Sequence, residues 1–316
     1  MRIVYFGSGA FGVPTLEHLS SRHELALVVT QPDKPAGRGA RLTPTPVAQW
    51  AAEHRPDVRV IKPARVGEAG VMAEIRGAQA EAWVVIAFGQ KLPRALLEGV
   101  FAINLHASLL PRWRGAAPIH AAILAGDTET GNTVITLADR MDAGLVLGTS
   151  RRAIDPLVTT GELHDLLSGD GPGLVERVLS EHAAGRLRGA AQDESLVTIA
   201  QKLSKADGSP DFRQPADFLR RQIHALTPWP GVTAVLGTSP AVSLKLLRAA
   251  VVEGGHGGEP GRVVDPKAGV VSCGKGTLLR LLEVQPAGKR GMTWAEFARG
   301  RVVEPMTALS GVMEGA

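Results

Sequence analysis

The 316-residue chain carries a single cysteine, Cys273. It therefore has no disulfide framework, no cysteine zinc cluster and no CxxC redox pair, and it suits a reducing cytoplasm. Aromatic residues make up only 4%, with one Tyr, which argues against nucleic-acid recognition by rows of base-stacking rings. None of the nine histidines falls in an HxH or HExxH spacing, so no metal site is expected. No apolar stretch approaches the roughly 18–20 residues of a membrane span. The opening MRIVYFGSGAFG also lacks the continuous apolar segment of a secretion signal. A cytoplasmic protein with no membrane partner is the expectation.

What is present is enough for a core: 44% of the residues are apolar and 21% charged. The net charge is only +4, but it is unevenly placed. Residues 1–204 hold 21 basic and 21 acidic side chains, whereas residues 205–316 hold 14 and 10. The excess in the last third permits a polyanionic partner gripped by its backbone, and equally an ordinary basic surface.

Short apolar runs alternate with amphipathic segments over the first 150 residues, the pattern of βαβ units. Strands are predicted at 2–6, 24–30, 58–61, 82–88, 101–104 and 132–137, with helices at 14–20, 46–54, 68–76 and 158–185. Runs apolar on both faces predict a doubly wound, mostly parallel, Rossmann-like sheet covered on both sides. A helix at 215–226 and five short strands between 232 and 284, set off by Gly- and Pro-containing turns, predict a small OB-like β-barrel. The expected organisation is a catalytic domain over 1–186, a polar linker over 187–208 and a C-terminal barrel over 209–316.

Gly7, Gly9 and Gly12 spell GxGxxG directly after the first strand, where a dinucleotide fingerprint would stand. That fingerprint needs an acidic residue at the end of the second strand, and here the strand ends Val29-Thr30-Gln31, with Asp33 beyond Pro32. A tight strand-to-helix turn explains the glycines without a nicotinamide.

In a doubly wound sheet, ligands bind beyond the carboxyl ends of the strands. Asn104 ends one strand and His106 follows two residues on, which puts both side chains on one side of an extended chain. Asp142 sits in the loop after the next strand. Amide donor, imidazole and carboxylate at one edge suit acyl or formyl transfer to an amine, with groups for an oxyanion, for proton transfer and for orientation. Read singly, a loop His, an Asp before Ala-Gly and a strand-end Asn are also ordinary packing and turn residues.

INLHASLLPRWRGAAPIHAAILAGDTETGNT (103–133) resembles the signature region of the folate-dependent formyltransferases. RIVYFGSGAFGVPTLEHL, VTQPDKPAGRGARLTPTPV (29–47), VVIAFGQKLP (84–93), QKLSKAD (201–207), TPWPG (227–231) and VQPAGKRGM (284–292) follow that family's pattern in order. The PDKPAGRG and QPAGK segments are similar to the branch that acts on charged initiator tRNA.

The resemblance implies 10-formyltetrahydrofolate as co-substrate, no metal and no nicotinamide, and methionyl-initiator tRNA as acceptor for a monomeric enzyme. It implies catalytic roles for Asn104, His106 and Asp142. It assigns Ser108, Leu109, Leu110 and Pro111 to folate binding, with Ile86, Ala87, Phe88 and Gly89, after Val85, on the pterin side. Lys34, Arg38 and Arg41 in a mobile loop, and Lys202 and Lys205 in the linker, are implied to hold tRNA. Two positions depart from the family: Ala107 replaces a common Gly, and Leu145 follows Asp142-Ala143-Gly144. A formyltransferase for another amine, such as a nucleotide sugar or glycinamide ribonucleotide, shares the same triad. An RNA-binding protein without catalysis and a dinucleotide oxidoreductase are the remaining alternatives.

Overall fold

The structure, a computed structural model, describes residues 1–36, 41–255 and 257–311. The chain divides into two compact units that are not contiguous in sequence. The first comprises Met1–Gly115, Thr130–Arg152 and His164–Ile199; the second comprises Ala116–Glu129, Ala153–Leu163 and Ala200–Ala316.

The first unit is built on strands β1 (Arg2–Gly7), β2 (Glu24–Val29), β5 (Val60–Ile61), β6 (Ala82–Ile86), β7 (Ala102–His106), β9 (Glu129–Thr136) and β10 (Val146–Ala153). A separate hairpin pairs β3 (Lys34–Ala36) with β4 (Arg41–Thr43). The two-residue strands β8 (Arg114–Gly115) and β11 (Ile199–Ala200) lie outside the main sheet. The sheet order is β10-β9-β7-β6-β1-β2-β5. Pairing is parallel from β5 through β2, β1 and β6 to β7, and antiparallel between β7 and β9. The chain leaves β1 toward one edge and returns at β6 toward the other, so the order reverses beside β1, the place where open α/β sheets bind ligands.

Burial explains why these runs are strands. Ile3, Val4, Tyr5 and Phe6 are all fully buried, as an interior strand covered on both faces requires. Phe6 packs against Trp83 and Phe88 at ring-centroid distances of 5.4 and 5.6 Å. The intervening helices are α1 (Val13–Arg22), α2 (Pro46–His54), α3 (Ala69–Gly77) and the short α4 (Arg94–Leu97). Pro46 occupies the first turn of α2, and the Thr45 hydroxyl caps it by accepting the Ala48 N–H at 3.1 Å. The long α6 (Thr160–Ala183) follows β10, and Gly171 brings it close to the sheet, because a Cβ there would lie 2.7 Å from Leu105.

Several details differ from the sequence expectation, and β7 runs on through His106 rather than ending at Asn104. The strand predicted over 82–88 stops at Ile86, because Ala87 turns into the left-handed region at φ +48°. β10 was not predicted; its VLGTSRRA sequence is half polar, as an edge strand can be. The GxGxxG glycines serve close packing, for Gly9 and Gly12 have ordinary negative φ values. A Cβ on Gly7 would meet the Tyr5 ring, and the buried Tyr5 hydroxyl donates to the Gly12 carbonyl at 2.8 Å.

The second unit contains α5 (Pro118–Ala125), α7 (Ala216–Ala225), α8 (Trp294–Arg299) and the strands β12 (Val232–Leu236), β13 (Val242–Val252), β14 (Val263–Asp265), β15 (Val270–Ser272), β16 (Leu278–Pro286), β17 (Met292–Thr293) and β18 (Leu309–Gly311). The ladders between these strands are antiparallel, in the order β14-β15-β16-β13-β12-β18, with β17 on β16. The edges find each other: Leu309 donates to Gly261 O, Met306 to Val263 O and Val263 to Thr307 O, at 2.8–3.0 Å. That closure makes the small barrel and leaves neither edge without partners. Its core packs Leu219, Ile223 and Leu226, on and after α7, with Leu244, Leu246, Leu279, Leu281, Trp294 and Phe297. The sequence showed five of these seven strands; β17, β18 and α8 were not foreseen.

Candidate active site

The site is assembled at the carboxyl edge of β6 and β7. Asn104 lies opposite Val85 on one side and Ile135 on the other, and His106, two residues on, lies opposite Thr133. The period of the strand places both side chains on one face. His106 is buried, while Asn104 is half-buried. Among the described residues, the Asn104 side-chain amide has no hydrogen-bond partner, which leaves its donors and acceptor available to a ligand.

The loop after β7 folds back on itself. The Ser108 hydroxyl donates to Arg112 O at 2.6 Å, Arg112 N–H to Leu109 O at 3.1 Å, and Leu110 N–H to the Thr133 hydroxyl at 3.1 Å. His106 Nε2 lies 2.8 Å from Trp113 O. A carbonyl only accepts, so Nε2 carries the hydrogen and Nδ1 is the nitrogen turned to the site. Asp142 Oδ2 is 3.6 Å from that Nδ1 and accepts the Gly115 N–H at 2.9 Å. The structure thus places Asn104, His106 and Asp142 around one strand end.

Backbone shape here is unusual. Trp113 and Asp142 adopt φ +64° and +53°, and Gly115 φ +120°. Only glycine tolerates the last of these readily. Gly115→Ala is expected to destabilise the protein by about 1–3 kcal/mol and to lower activity, read by thermal denaturation beside an activity assay; unchanged values in both would contradict the role given to this turn.

The remaining sequence-derived positions separate by exposure. Of Ile86, Ala87, Phe88 and Gly89, only Ala87 and Gly89 reach the surface; Ile86 and Phe88 are buried. Ser108 is fully buried and Leu110 nearly so, while Leu109 and Pro111 are half-buried. Exposed Ala87 and Gly89, just past the strand that pairs with β7 at Asn104, together with the unpartnered Asn104 amide, suit a flat heterocycle that forms hydrogen bonds, such as a pterin. Lys34 and Arg41 are exposed on the β3–β4 hairpin, and Lys202 and Lys205 are exposed in the second unit. Arg38 lies outside the described residues.

The two departures from the family are accommodated. Ala107 is buried with an ordinary negative φ, so its methyl group costs no backbone strain. Leu145 exchanges hydrogen bonds with Thr136, its N–H to the Thr136 hydroxyl and its carbonyl from the Thr136 N–H, at 2.9 and 3.0 Å. Its side chain is exposed, so it leaves the loop's hydrogen bonding intact. Asp33, the only acid near the end of β2, pairs with Lys62 at 2.6 Å, which further weakens a dinucleotide reading. Among the described residues there is no cluster of three or more His, Cys, Asp or Glu able to hold a metal, and no helix long and apolar enough to cross a membrane.

Sequence reasoning missed Gln192 and Glu194. Gln192 Nε2 donates to Asp142 O and Gly144 O at 2.7 and 2.8 Å, and Glu194 pairs with Arg114 and Arg140 at 2.9 and 2.8 Å. Nothing local marks them; the one signal was Arg114, a charged residue that the fold buries at 3% exposure.

A doubly wound sheet with amide, imidazole and carboxylate at its ligand-binding edge suits a group-transfer enzyme, and the comparisons fix the class. Residues 1–179 match the formyl transferase family model and residues 202–302 that of the formyl transferase C-terminal domain. The chain is 42% identical over 302 residues to a methionyl-tRNA formyltransferase of Methylococcus capsulatus, covering 94% of this chain and 96% of that one. It is 41% identical over 304 residues to one of Rhodopseudomonas palustris, covering 95% and 96%. The chain belongs to the methionyl-tRNA formyltransferase family.

Solved structures share the fold at low identity. WlaRD, a sugar 3N-formyl transferase determined in the presence of dTDP and 5-N-formyl-THF, matches with a TM-score of 0.66 at 14% identity, over 92% of this chain and 99% of that one. HypX from Aquifex aeolicus in complex with tetrahydrofolic acid matches with a TM-score of 0.63 at 15% identity, over 94% of this chain and 47% of that one.

Proposed function

We propose that this protein transfers the formyl group of 10-formyltetrahydrofolate to the α-amino group of methionyl-initiator tRNA, giving N-formylmethionyl-tRNA for translation initiation. The observation that carries the reading is the convergence of Asn104, His106 and Asp142 at one strand end, in a chain whose relatives bear that name over nearly their full length. The folate supplies an activated formyl group. Ile86, Ala87, Phe88 and Gly89, with Ser108, Leu109, Leu110 and Pro111, would hold it. Ser108 acts by shaping the loop, since its hydroxyl is already bonded to Arg112 O.

The chain's own groups then divide the work. The Asn104 amide donates to the formyl oxygen as negative charge gathers there. His106 keeps Nε2–H on Trp113 O and works through Nδ1. A proton on Nδ1 is balanced by Asp142 at 3.6 Å, whose other task is to relay the proton lost by the attacking amine, as its new C–N bond forms, to the folate nitrogen that departs as its bond to the formyl carbon breaks. The Gly115 N–H fixes which carboxylate oxygen faces the imidazole.

Residues 1–186 are proposed as the catalytic domain, 187–208 as the connection and 209–316 as the tRNA-binding domain of a cytoplasmic monomer. Lys34, Arg38, Arg41, Lys202 and Lys205 would contact the tRNA backbone. If all five engage phosphate, affinity should fall on the order of 10²-fold between about 50 and 200 mM salt; equal affinity at both, by filter binding, would remove the electrostatic account. The function is tested by offering 10-formyltetrahydrofolate with methionyl-tRNA, unacylated tRNA and glycinamide ribonucleotide. Formylation of the first alone supports the reading. Formylation of glycinamide ribonucleotide instead would move the enzyme to another branch.

A further inference from the structure

We propose that Gln192 is a positioning residue that holds the Asp142 loop in its working conformation, anchored from behind by Arg114 and Glu194; the inference rests on the catalytic reading of Asp142. Three hydrogen bonds define the Gln192 amide without ambiguity. Nε2 donates to two carbonyls, Asp142 O and Gly144 O, at 2.7 and 2.8 Å, and Oε1 accepts from Arg114 Nε at 3.0 Å. Carbonyls only accept and a guanidinium only donates, so the amide has one orientation.

The need for such a clamp is visible in the loop. Asp142 stands at φ +53°, a conformation that side-chain-bearing residues rarely adopt and that surrounding bonds must hold. Gln192 bonds the carbonyls on either side of the Ala143 turn and so fixes the direction in which the Asp142 carboxylate leaves the backbone. The anchor is buried: Arg114 is 3% exposed, and its guanidinium also grips Glu194, with Nη2 to Oε1 at 2.9 Å. Arg140, on the Asp142 loop itself, binds the other Glu194 oxygen at 2.8 Å. Hydrogen bonds from Arg114 and Arg140, with their charges adding to them, hold the Glu194 carboxyl below its usual range.

The same stretch supports the imidazole arm. Thr198 accepts the Trp113 N–H on its hydroxyl and the Arg114 N–H on its carbonyl, both at 2.9 Å, and Trp113 O is the acceptor of His106 Nε2. Residues 192–198, mostly polar and without period as sequence, therefore touch the supports of both His106 and Asp142.

The test uses the full chain and methionyl-tRNA formylation. Gln192→Glu keeps an acceptor for Arg114 but has no donor for the two carbonyls, so folding should survive while the clamp is lost. Gln192→Glu and Gln192→Ala are each expected to lower kcat about 10- to 100-fold, with KM for methionyl-tRNA within about threefold and a cooperative, though lowered, thermal unfolding transition that shows both proteins are folded at the assay temperature. Because Gln192 acts through Asp142, adding Gln192→Glu to Asp142→Ala should cost less than about twofold more. Gln192 variants with full kcat, beside an impaired Asp142→Ala, would overturn the inference and leave the catalytic reading standing. So would a loss that multiplies fully in the Asp142→Ala background. Full activity of Asp142→Ala would overturn the catalytic reading and the inference with it.

Discussion

Replacing Asn104 by alanine is expected to slow single-turnover formyl transfer about 10²- to 10³-fold, with methionyl-tRNA binding and thermal stability close to those of the unmodified protein. The argument is local. Among the described residues the Asn104 amide has no partner, so its removal orphans no buried group. It sits in the middle of β7, opposite Val85 and Ile135, on backbone fixed by ladders on both sides, which makes it a rigid donor. A donor of this kind acts chiefly when charge develops on the oxygen it faces. His106→Ala is a less clean probe, since it also leaves Trp113 O and Asp142 without the ring they adjoin. Near-normal transfer by a folded Asn104→Ala protein would show that the oxyanion is held elsewhere.

Acid is expected to weaken the second unit through His224. This ring is fully buried; its Nδ1 faces Pro156 O at 3.2 Å and its Nε2 accepts the Ala249 N–H at 3.0 Å, a pair of contacts that requires the neutral form. Burial, together with the nearby Arg220 and Arg248 charges, lowers its pKa from 6.5 to about 4. The unfolded chain therefore takes up the proton first. Stability is fully present above about pH 6.5 and is lost as pH falls through 4, by about 3 kcal/mol in all. Glu162 acts in a lower window. Burial works to raise its pKa, but hydrogen bonds from Arg248 and Thr159 prevail and hold it at about 2, so its contribution fades only below about pH 4.5. Urea unfolding between pH 7.5 and 4.5 should show the steeper loss, and His224→Gln should flatten it; equal slopes in the two proteins would remove His224 as the cause.

The parts of the fold that periodicity encodes were legible in the sequence. The buried strands β1, β2, β6 and β7 announce themselves as apolar runs, and Pro46 marks the first turn of α2. What failed was set by interactions distant in sequence. Ala87 ends β6 two residues early through a left-handed turn that no propensity scale marks. β10 is half polar, and β18 gains its place only by bonding to β12 and, just before it, to residues 261–263. The three candidate catalytic positions could be read because Asn104 and His106 lie two apart toward the carboxyl end of one strand and Asp142 lies in the loop after the next. Gln192 could not, since its partners Arg114 and Asp142 lie 78 and 50 residues away and it sits in a run with no period. The choice of Nδ1 as the working nitrogen of His106 likewise depends on Trp113 O, which only the folded loop brings into place.

The central claim is that this site moves a formyl group to the amine of methionyl-tRNA. The most direct test follows a labelled formyl group from 10-formyltetrahydrofolate in a single turnover with enzyme in excess. The label should appear on the methionine α-amino group after mild hydrolysis of the tRNA ester, and tetrahydrofolate should form in equal amount. Label released only as formate, or recovered on another amine while methionine stays unmodified, would contradict the account.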